Sequence, residues 1–147
     1  MLLTRTFEEV SNGSQWHKVR IKPGIQFYTI KSTFNIFTEE PIYLNIAEGI
    51  FDIISVYKNF TNSENSVFIA SLGSDYVAAL ENMIRRGIIG KNVIVNIYID
   101  NGIDEKRLKH SLMKYKWIFN SIHLIRNSKS KDVGTKMDNI FLVDNKI

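Results

Sequence analysis

Residues 42–57 read IYLNIAEGIFDIISVY, and they decide the fold. An apolar run ends at Glu48, Gly49 turns the backbone, and Asp52 follows within the next turn of chain. The pattern predicts a buried strand that ends at Glu48, followed by a helix that places Asp52 one turn further along the same face. The core-facing positions of that helix recur at i, i+3, i+4 and i+7: Ile50, Ile53, Ile54 and Tyr57. Ligands of open α/β sheets collect at the carboxyl ends of strands, so both carboxylates are candidate site residues.

The alternation of strand and helix continues beyond this stretch. Further strands are predicted at residues 67–70, 92–99, 118–125 and 140–143, and further helices at residues 75–86 and 104–116. In the first of these helices the core-facing stripe is predicted at Val77, Leu80 and Ile84. Regular alternation of this kind indicates an α/β fold with a mostly parallel, Rossmann-like sheet, right-handed crossovers and helices on both faces.

The first 40 residues follow a different pattern. Short alternating runs predict strands at residues 16–21, 25–30 and 33–37, separated by turn-forming residues. We therefore expect a short β-rich lead-in at residues 1–40, followed by the main domain at residues 41–147. With 147 residues in all, the two together are expected to form one compact unit.

The amino-acid composition excludes several kinds of site. The chain contains no cysteine, so disulfide frameworks, thiolate zinc sites and cysteine nucleophiles are excluded. Its three histidines lack the spacing of metal ligands, so any metal would be held by oxygen, which favours Mg²⁺ or Mn²⁺. A net charge of +4 is compatible with a polyanionic partner. With no signal-like N-terminus and no apolar run of about 20 residues, we expect a cytoplasmic protein with no membrane partner.

Acidic residues follow three of the predicted strands. Glu48 and Asp52 follow the strand that ends before Glu48, Asp100 and Asp104 follow the strand at residues 92–99, and Asp132 comes after the strand at residues 118–125. Parallel strands bring these loops to one edge of the sheet, where clustered carboxylates can hold a divalent ion that bridges phosphate oxygens. Simpler roles stay open, because Asp104 also fits a helix N-cap and Asp132 fits a turn. The basic positions of the third helix, including Lys106, Arg107 and Lys109, fit either a solvated face or a phosphate-binding one.

Four short motifs in this order resemble the Toprim domain, the metal-binding module of topoisomerases and of bacterial- and phage-type DNA primases. Residues 48–52 (EGIFD) are similar to its EGxxD opening, and residues 70–73 (ASLG) to the turn after its second strand. Residues 98–102 (YIDNG) lie where the family has DxD, and residues 130–132 (SKD) resemble the Lys-Asp of primases. The resemblance covers residues 40–135 and is closer to primases than to topoisomerases.

The resemblance implies a Toprim-like fold and metal-dependent nucleotidyl transfer, that is, primer synthesis in phage or mobile-element replication. Glu48 and Asp100 would be the catalytic carboxylates, and Lys131 would contact phosphate together with Lys106, Arg107 and Lys109. The implied partners are nucleotides and a single-stranded DNA template, in a bacterial cell or a phage-infected host. The implied ligands of Mg²⁺ or Mn²⁺ are Glu48, Asp52, Asp100, Asp104 and Asp132.

The chain departs from the family pattern at Gly102, where the second aspartate of DxD would stand, and Asp104 is the nearest substitute. It also lacks the cysteine-rich zinc module of primases and a GxxxxGK[ST] helicase motif. Two alternatives to a primase therefore stay open: a catalytically degenerate module that binds nucleic acid or a replication protein, and a small Toprim nuclease. A primase split between chains would have a separate zinc-binding module or helicase as its partner.

Overall fold

The structure is a computed structural model that describes residues 2–5, 16–19, 27–33, 39–59, 65–73, 75–131, 133–135 and 140–147. Its helices are α1 (Ile50–Asn59), α2 (Tyr76–Arg85) and α3 (Glu105–Leu112), and a 3-10 helix (Met113–Tyr115) follows α3. Its strands are β1 (Leu2–Arg5), β2 (Trp16–Val19), β3 (Tyr28–Thr33), β4 (Ile42–Ala47), β5 (Ser66–Ala70), β6 (Gly90–Ile99), β7 (Phe119–Asn127) and β8 (Leu142–Lys146).

A six-stranded sheet has the order β3-β5-β4-β6-β7-β8. Its four inner strands run parallel, whereas β3 and β8 pair antiparallel with β5 and β7 at the two edges. β1 and β2 pair with each other in a separate two-stranded sheet. The predicted α/β class with a mostly parallel sheet flanked by helices is thus confirmed, and the sheet is compatible with a Rossmann-like fold. β3, which belongs to the predicted lead-in, is an edge strand of the main sheet.

The helices cover both faces of the sheet because the chain changes direction. α1 connects β4 to β5 on one side, whereas α2 and α3 lead to β6 and β7 on the other side. Right-handed crossovers in opposite directions place their helices on opposite faces. Ile53 and Val56 of α1 pack on one face with Phe68, and Leu80 of α2 and Leu112 of α3 pack into the larger core on the other face.

Several predicted boundaries were wrong, and the predicted core was incomplete. β6 begins two residues before the predicted position, at Gly90, and β1 was not predicted. The predicted strand at residues 33–37 lies almost entirely outside the described residues. In α2 the predicted stripe does pack against the core, with Leu80 fully buried and Val77 and Ile84 partly buried. The prediction omitted Tyr76, Ala79 and Met83, which are also fully buried, and Tyr76 belongs to the candidate site.

None of the helices in the described parts of the chain has the length and apolar character needed to cross a bilayer.

Candidate functional site

The strand order creates a switch point between β4 and β6. From β4 the chain moves first to β5 on one side and later to β6 on the other, so the connections diverge at the carboxyl ends of β4 and β6. A crevice at such a divergence is where open α/β sheets bind their ligands. Ala47 pairs in register with Tyr98. Glu48 and Asp100, each the first residue after its strand, therefore flank this crevice, and both side chains are half-buried.

The backbone beside Glu48 is held by the loop that follows β5. Ser71 N–H donates to the Ala47 carbonyl at 2.8 Å, and Leu72 N–H donates to the Glu48 carbonyl at 2.8 Å. Leu72 has a φ of +55°, a conformation that costs a residue with a side chain on the order of 1 kcal/mol. The Ser71 hydroxyl also donates to the Gly73 carbonyl and tightens the same turn. A strained, hydrogen-bonded turn thus fixes the position of Glu48.

Asp52 is placed by backbone amides from two loops. Its Oδ2 accepts from Gly49 N–H at 3.1 Å, and its Oδ1 accepts from Gly134 N–H at 2.9 Å. A Cβ at either glycine would lie 2.5 Å from the carboxylate, so a larger residue at either position would displace the Asp52 side chain. Asp52 therefore joins the loop after β4 to the loop after β7.

Tyr76 is the site residue that sequence reasoning missed. Its side chain is fully buried, and its hydroxyl has no hydrogen-bond partner among the described residues. Burial raises the pKa of Tyr76 well above its usual value, and the negative charges of Glu48 and Asp100 raise it further. The Asp100 backbone approaches the hydroxyl and offsets part of this shift. A neutral phenol is therefore buried where the charges of Glu48, Asp100 and Asp52 influence it.

A tight turn follows Asp100. Ile103 N–H donates to the Asp100 carbonyl at 3.2 Å, and Gly102, the third residue of the turn, has a φ of +112°. This is the pattern of a type II turn, which favours glycine at that position. The departure from DxD therefore has a conformational reason, because an aspartate at residue 102 would be strained although the space around it is open.

Asn101 connects this turn to the loop that carries Lys131. Its N–H donates to the Lys131 carbonyl at 2.7 Å, and its Nδ2 donates to the carbonyls of Asn127 at 2.8 Å and Ser130 at 2.6 Å. Lys131 is exposed and lies next to Asp100 through this contact. Asp132 lies outside the described residues.

The remaining predicted residues lie on α3, further along the chain from the crevice. Asp104 is the N-cap of α3, and its Oδ1 accepts from Arg107 N–H at 3.0 Å. Its simpler predicted role as a cap is thus confirmed. Lys106, Arg107 and Lys109 are all exposed on this helix.

The oxygen donors at the switch point suit a hard cation, but they do not form a closed cage. Among the described residues, which exclude Asp132, no three His, Asp or Glu side chains lie close enough together to hold a metal ion. Mg²⁺ usually keeps several waters and uses one or two carboxylates together with substrate phosphates. Glu48 and Asp100, with the unpartnered Tyr76 hydroxyl beside them, fit an open site of that kind.

A second polar cluster lies further back in the sheet. His123 Nδ1 is 2.7 Å from an Asp144 carboxylate oxygen, and its Nε2 is 2.9 Å from the Ser121 hydroxyl. Both ring nitrogens are therefore used within the sheet, and the contact with Asp144 joins β7 to β8.

Comparison with known proteins gives no significant match to a family model, a curated protein or a solved structure. The Toprim resemblance therefore stays a prediction that depends on the motifs and on the geometry of this site.

Proposed function

We propose that this chain is a Toprim-like domain of the DNA primase type, which uses carboxylate-held Mg²⁺ or Mn²⁺ for nucleotidyl transfer. The observation that carries the proposal is the position of Glu48 and Asp100 on either side of the switch point, next to the buried hydroxyl of Tyr76. The Tyr76 hydroxyl is buried with no hydrogen-bond partner among the described residues, which is costly, and an oxygen of a ligand or of an ordered water would satisfy it.

Each residue has a separate role in the proposal. Glu48 and Asp100 would hold the ion, and Glu48 would also accept or deliver a proton at the reacting hydroxyl. Asp52 acts as a positioning residue, since both of its oxygens already accept backbone amides. Lys131 would contact a phosphate, and Tyr76, as a neutral donor, would hydrogen-bond a phosphate oxygen or an ordered water. When bound, the ion would supply charge neutralisation at the phosphate oxygens.

The proposed partners follow from this chemistry. They are nucleotides, a single-stranded DNA template and, for a primase split between chains, a zinc-binding module or helicase on another chain. The proposed location is the cytoplasm of a bacterial cell or of a phage-infected host.

The turn at Gly102 favours a second candidate function. Because that turn requires glycine and Asp104 is engaged as a helix cap, the site has fewer acids than the family pattern. A catalytically degenerate module that binds nucleic acid or a replication protein is therefore the alternative. A small nuclease would use the same acids as a primase, so only an assay of the product separates the two.

Metal titration tests the proposal. In a titration with Mg²⁺ and then Mn²⁺, the melting temperature of the wild type should rise by about 3–6 °C when the ion reaches tenfold its Kd, which corresponds to about 1.4 kcal/mol. Glu48→Gln and Asp100→Asn should lose most of this rise. Glu81→Gln, which removes an exposed carboxylate of α2, is the matched control and should keep it.

Asp104→Asn separates the two roles of Asp104, because asparagine caps a helix as well as aspartate does. We expect it to keep the metal response, and its loss would make Asp104 a ligand. If the wild type shows no response to either ion, the enzyme proposal fails and the degenerate module is favoured. If the ion binds, incubation with single-stranded DNA and labelled ribonucleotides distinguishes synthesis from cleavage.

A further inference from the structure

An open groove lies at the opposite edge of the sheet, beside the amino ends of β6 and β7. Its volume is about 540 Å³. Segments far apart in sequence form it: the start of β6, the turn after the 3-10 helix, the start of β7 and the end of β8. The residues that line it are Lys91, Lys116, Trp117, Phe119, Asn120, Ser121, Ile122, Lys146 and Ile147.

The lining combines positive charge with an exposed aromatic ring. Lys91, Lys116 and Lys146 are exposed, none of the lining side chains is acidic, and Lys91 Nζ donates to the Phe119 carbonyl at 3.5 Å. Trp117 is 79% exposed, more than any other large hydrophobic residue described. An exposed tryptophan that does not pack in the core and lies next to a lysine is typical of a surface that binds a flat, negatively charged ligand.

The groove has fixed walls. The pairing of β6 with β7 is irregular between Gly90 and Ile94, where several residues of β6 face Asn120. Bulges of this kind re-aim side chains and are common beside binding sites. Asn120 Nδ2 donates to the Lys91 carbonyl at 3.0 Å, and Ile147 N–H donates to the Ile122 carbonyl at 2.8 Å. The lysines thus project from a backbone that is already ordered.

We propose that this groove binds single-stranded nucleic acid, with the three lysines along the phosphates and Trp117 stacked on a base. A single strand is favoured over a duplex because stacking on Trp117 requires an unpaired base. It is favoured over a membrane because the surface is concave and built from strands and turns, whereas proteins that lie on bilayers usually present an amphipathic helix.

This site is separate from the carboxylate crevice. β6 runs from the groove at Lys91 to the crevice at Asp100, and at ~3.3 Å per residue this separation is roughly 30 Å. Binding in the groove therefore requires no metal and does not depend on the proposed reaction. It would hold a strand away from the chemistry, as a template-holding surface does.

Fluorescence titration with a twelve-residue oligothymidylate tests the inference. In a Trp16→Phe background, which isolates the signal of Trp117, the oligonucleotide should quench the emission. Lys116→Gln/Lys146→Gln should weaken binding about tenfold at low salt and reduce the slope of log K against log salt concentration by about 1.4. Trp117→Ala, followed by anisotropy of a labelled oligonucleotide, should weaken binding about tenfold.

The matched control is Lys58→Gln/Lys129→Gln, which removes the same charge from exposed positions on α1 and in the loop after β7, outside the groove. The inference would be overturned if both double variants lost the same oligonucleotide affinity and Trp117→Ala bound the oligonucleotide as tightly as the wild type. Groove variants that lose binding to phosphatidylserine vesicles but keep binding to the oligonucleotide would also overturn it. The oligonucleotide titration contains no divalent metal, so failure of the metal titration and failure of this inference are distinguishable.

Discussion

At the scale of single residues, the contact of Asp52 with two glycines is the most constrained in the candidate site. Its carboxylate accepts hydrogen bonds from the amides of Gly49 and Gly134, which are 85 positions apart in the chain, and a Cβ at either glycine would displace it. The resemblance to EGxxD implies that Asp52 is a metal ligand. Its observed hydrogen bonds show that it connects two loops at the carboxyl edge of the sheet.

Gly134→Ala tests this contact. A Cβ there would lie 2.5 Å from Asp52 Oδ1, so the carboxylate would have to move and lose both amides. We expect a loss of about 1–3 kcal/mol in the free energy of unfolding, since hydrogen bonds to charged groups contribute about that much. Urea denaturation measures it.

A double-mutant cycle is the control for this prediction. In an Asp52→Ala background the carboxylate is gone, so adding Gly134→Ala should cost much less than it does in the wild type. Equal costs in both backgrounds would show that the requirement for glycine comes from the backbone of the loop and not from Asp52.

At the scale of elements, α2 and α3 are joined by a polar contact at the surface. Glu81 of α2 accepts hydrogen bonds from the Tyr115 hydroxyl and from Lys114 Nζ, the latter at 3.3 Å. The hydrogen bond from Tyr115, and then that from Lys114, hold the pKa of Glu81 below its ordinary value of 4.5. The contact thus fixes the end of α3, from which the chain turns into Trp117 and the groove.

The pH dependence of Glu81→Gln follows from the sign of this shift. Because the pKa is lower in the folded state, the carboxylate stabilises the fold above the unfolded pKa, and the stabilisation is lost as the pH falls through the folded pKa. At pH 7 the variant should be less stable by about 0.5 kcal/mol, as expected for an exposed pair. The difference should shrink between pH 5 and pH 3, measured by thermal melts. A difference that is constant over that range would show that Glu81 acts through packing.

At the scale of the whole molecule, the sequence predicts what depends on local pattern. Periodicity predicts the strand–glycine–helix unit at residues 42–57. It also predicts the order in which carboxylates follow the inner strands, and the structure places Glu48 and Asp100 at one edge of the sheet. Tyr76 was missed because the predicted stripe of α2 began one position later, at Val77. The groove was missed because Lys91, Trp117 and Lys146 come together only through strand order.

The same strand order predicts which strands of the sheet unfold locally. β4 and β6 each lie between two parallel neighbours, and β4 is buried along almost its whole length. β8 pairs only with β7, and its residues are exposed or half-buried. Protection from hydrogen exchange should therefore be graded from the centre of the sheet to this edge.

Native-state hydrogen exchange at increasing urea concentration tests this gradient. Amides of β4 and β6 should exchange only through global unfolding, with a strong dependence on urea, because opening them breaks both neighbouring ladders. Amides of β8 should exchange through a local opening with a smaller free energy and little dependence on urea, since its ties to the sheet beyond β7 are few. His123→Gln, which removes the contact with Asp144, should lower the protection of β8 further and leave that of β4 nearly unchanged. Equal free energies and equal urea dependence in β4 and β8 would instead make the sheet one cooperative unit, with Lys146 fixed in the groove as firmly as the core.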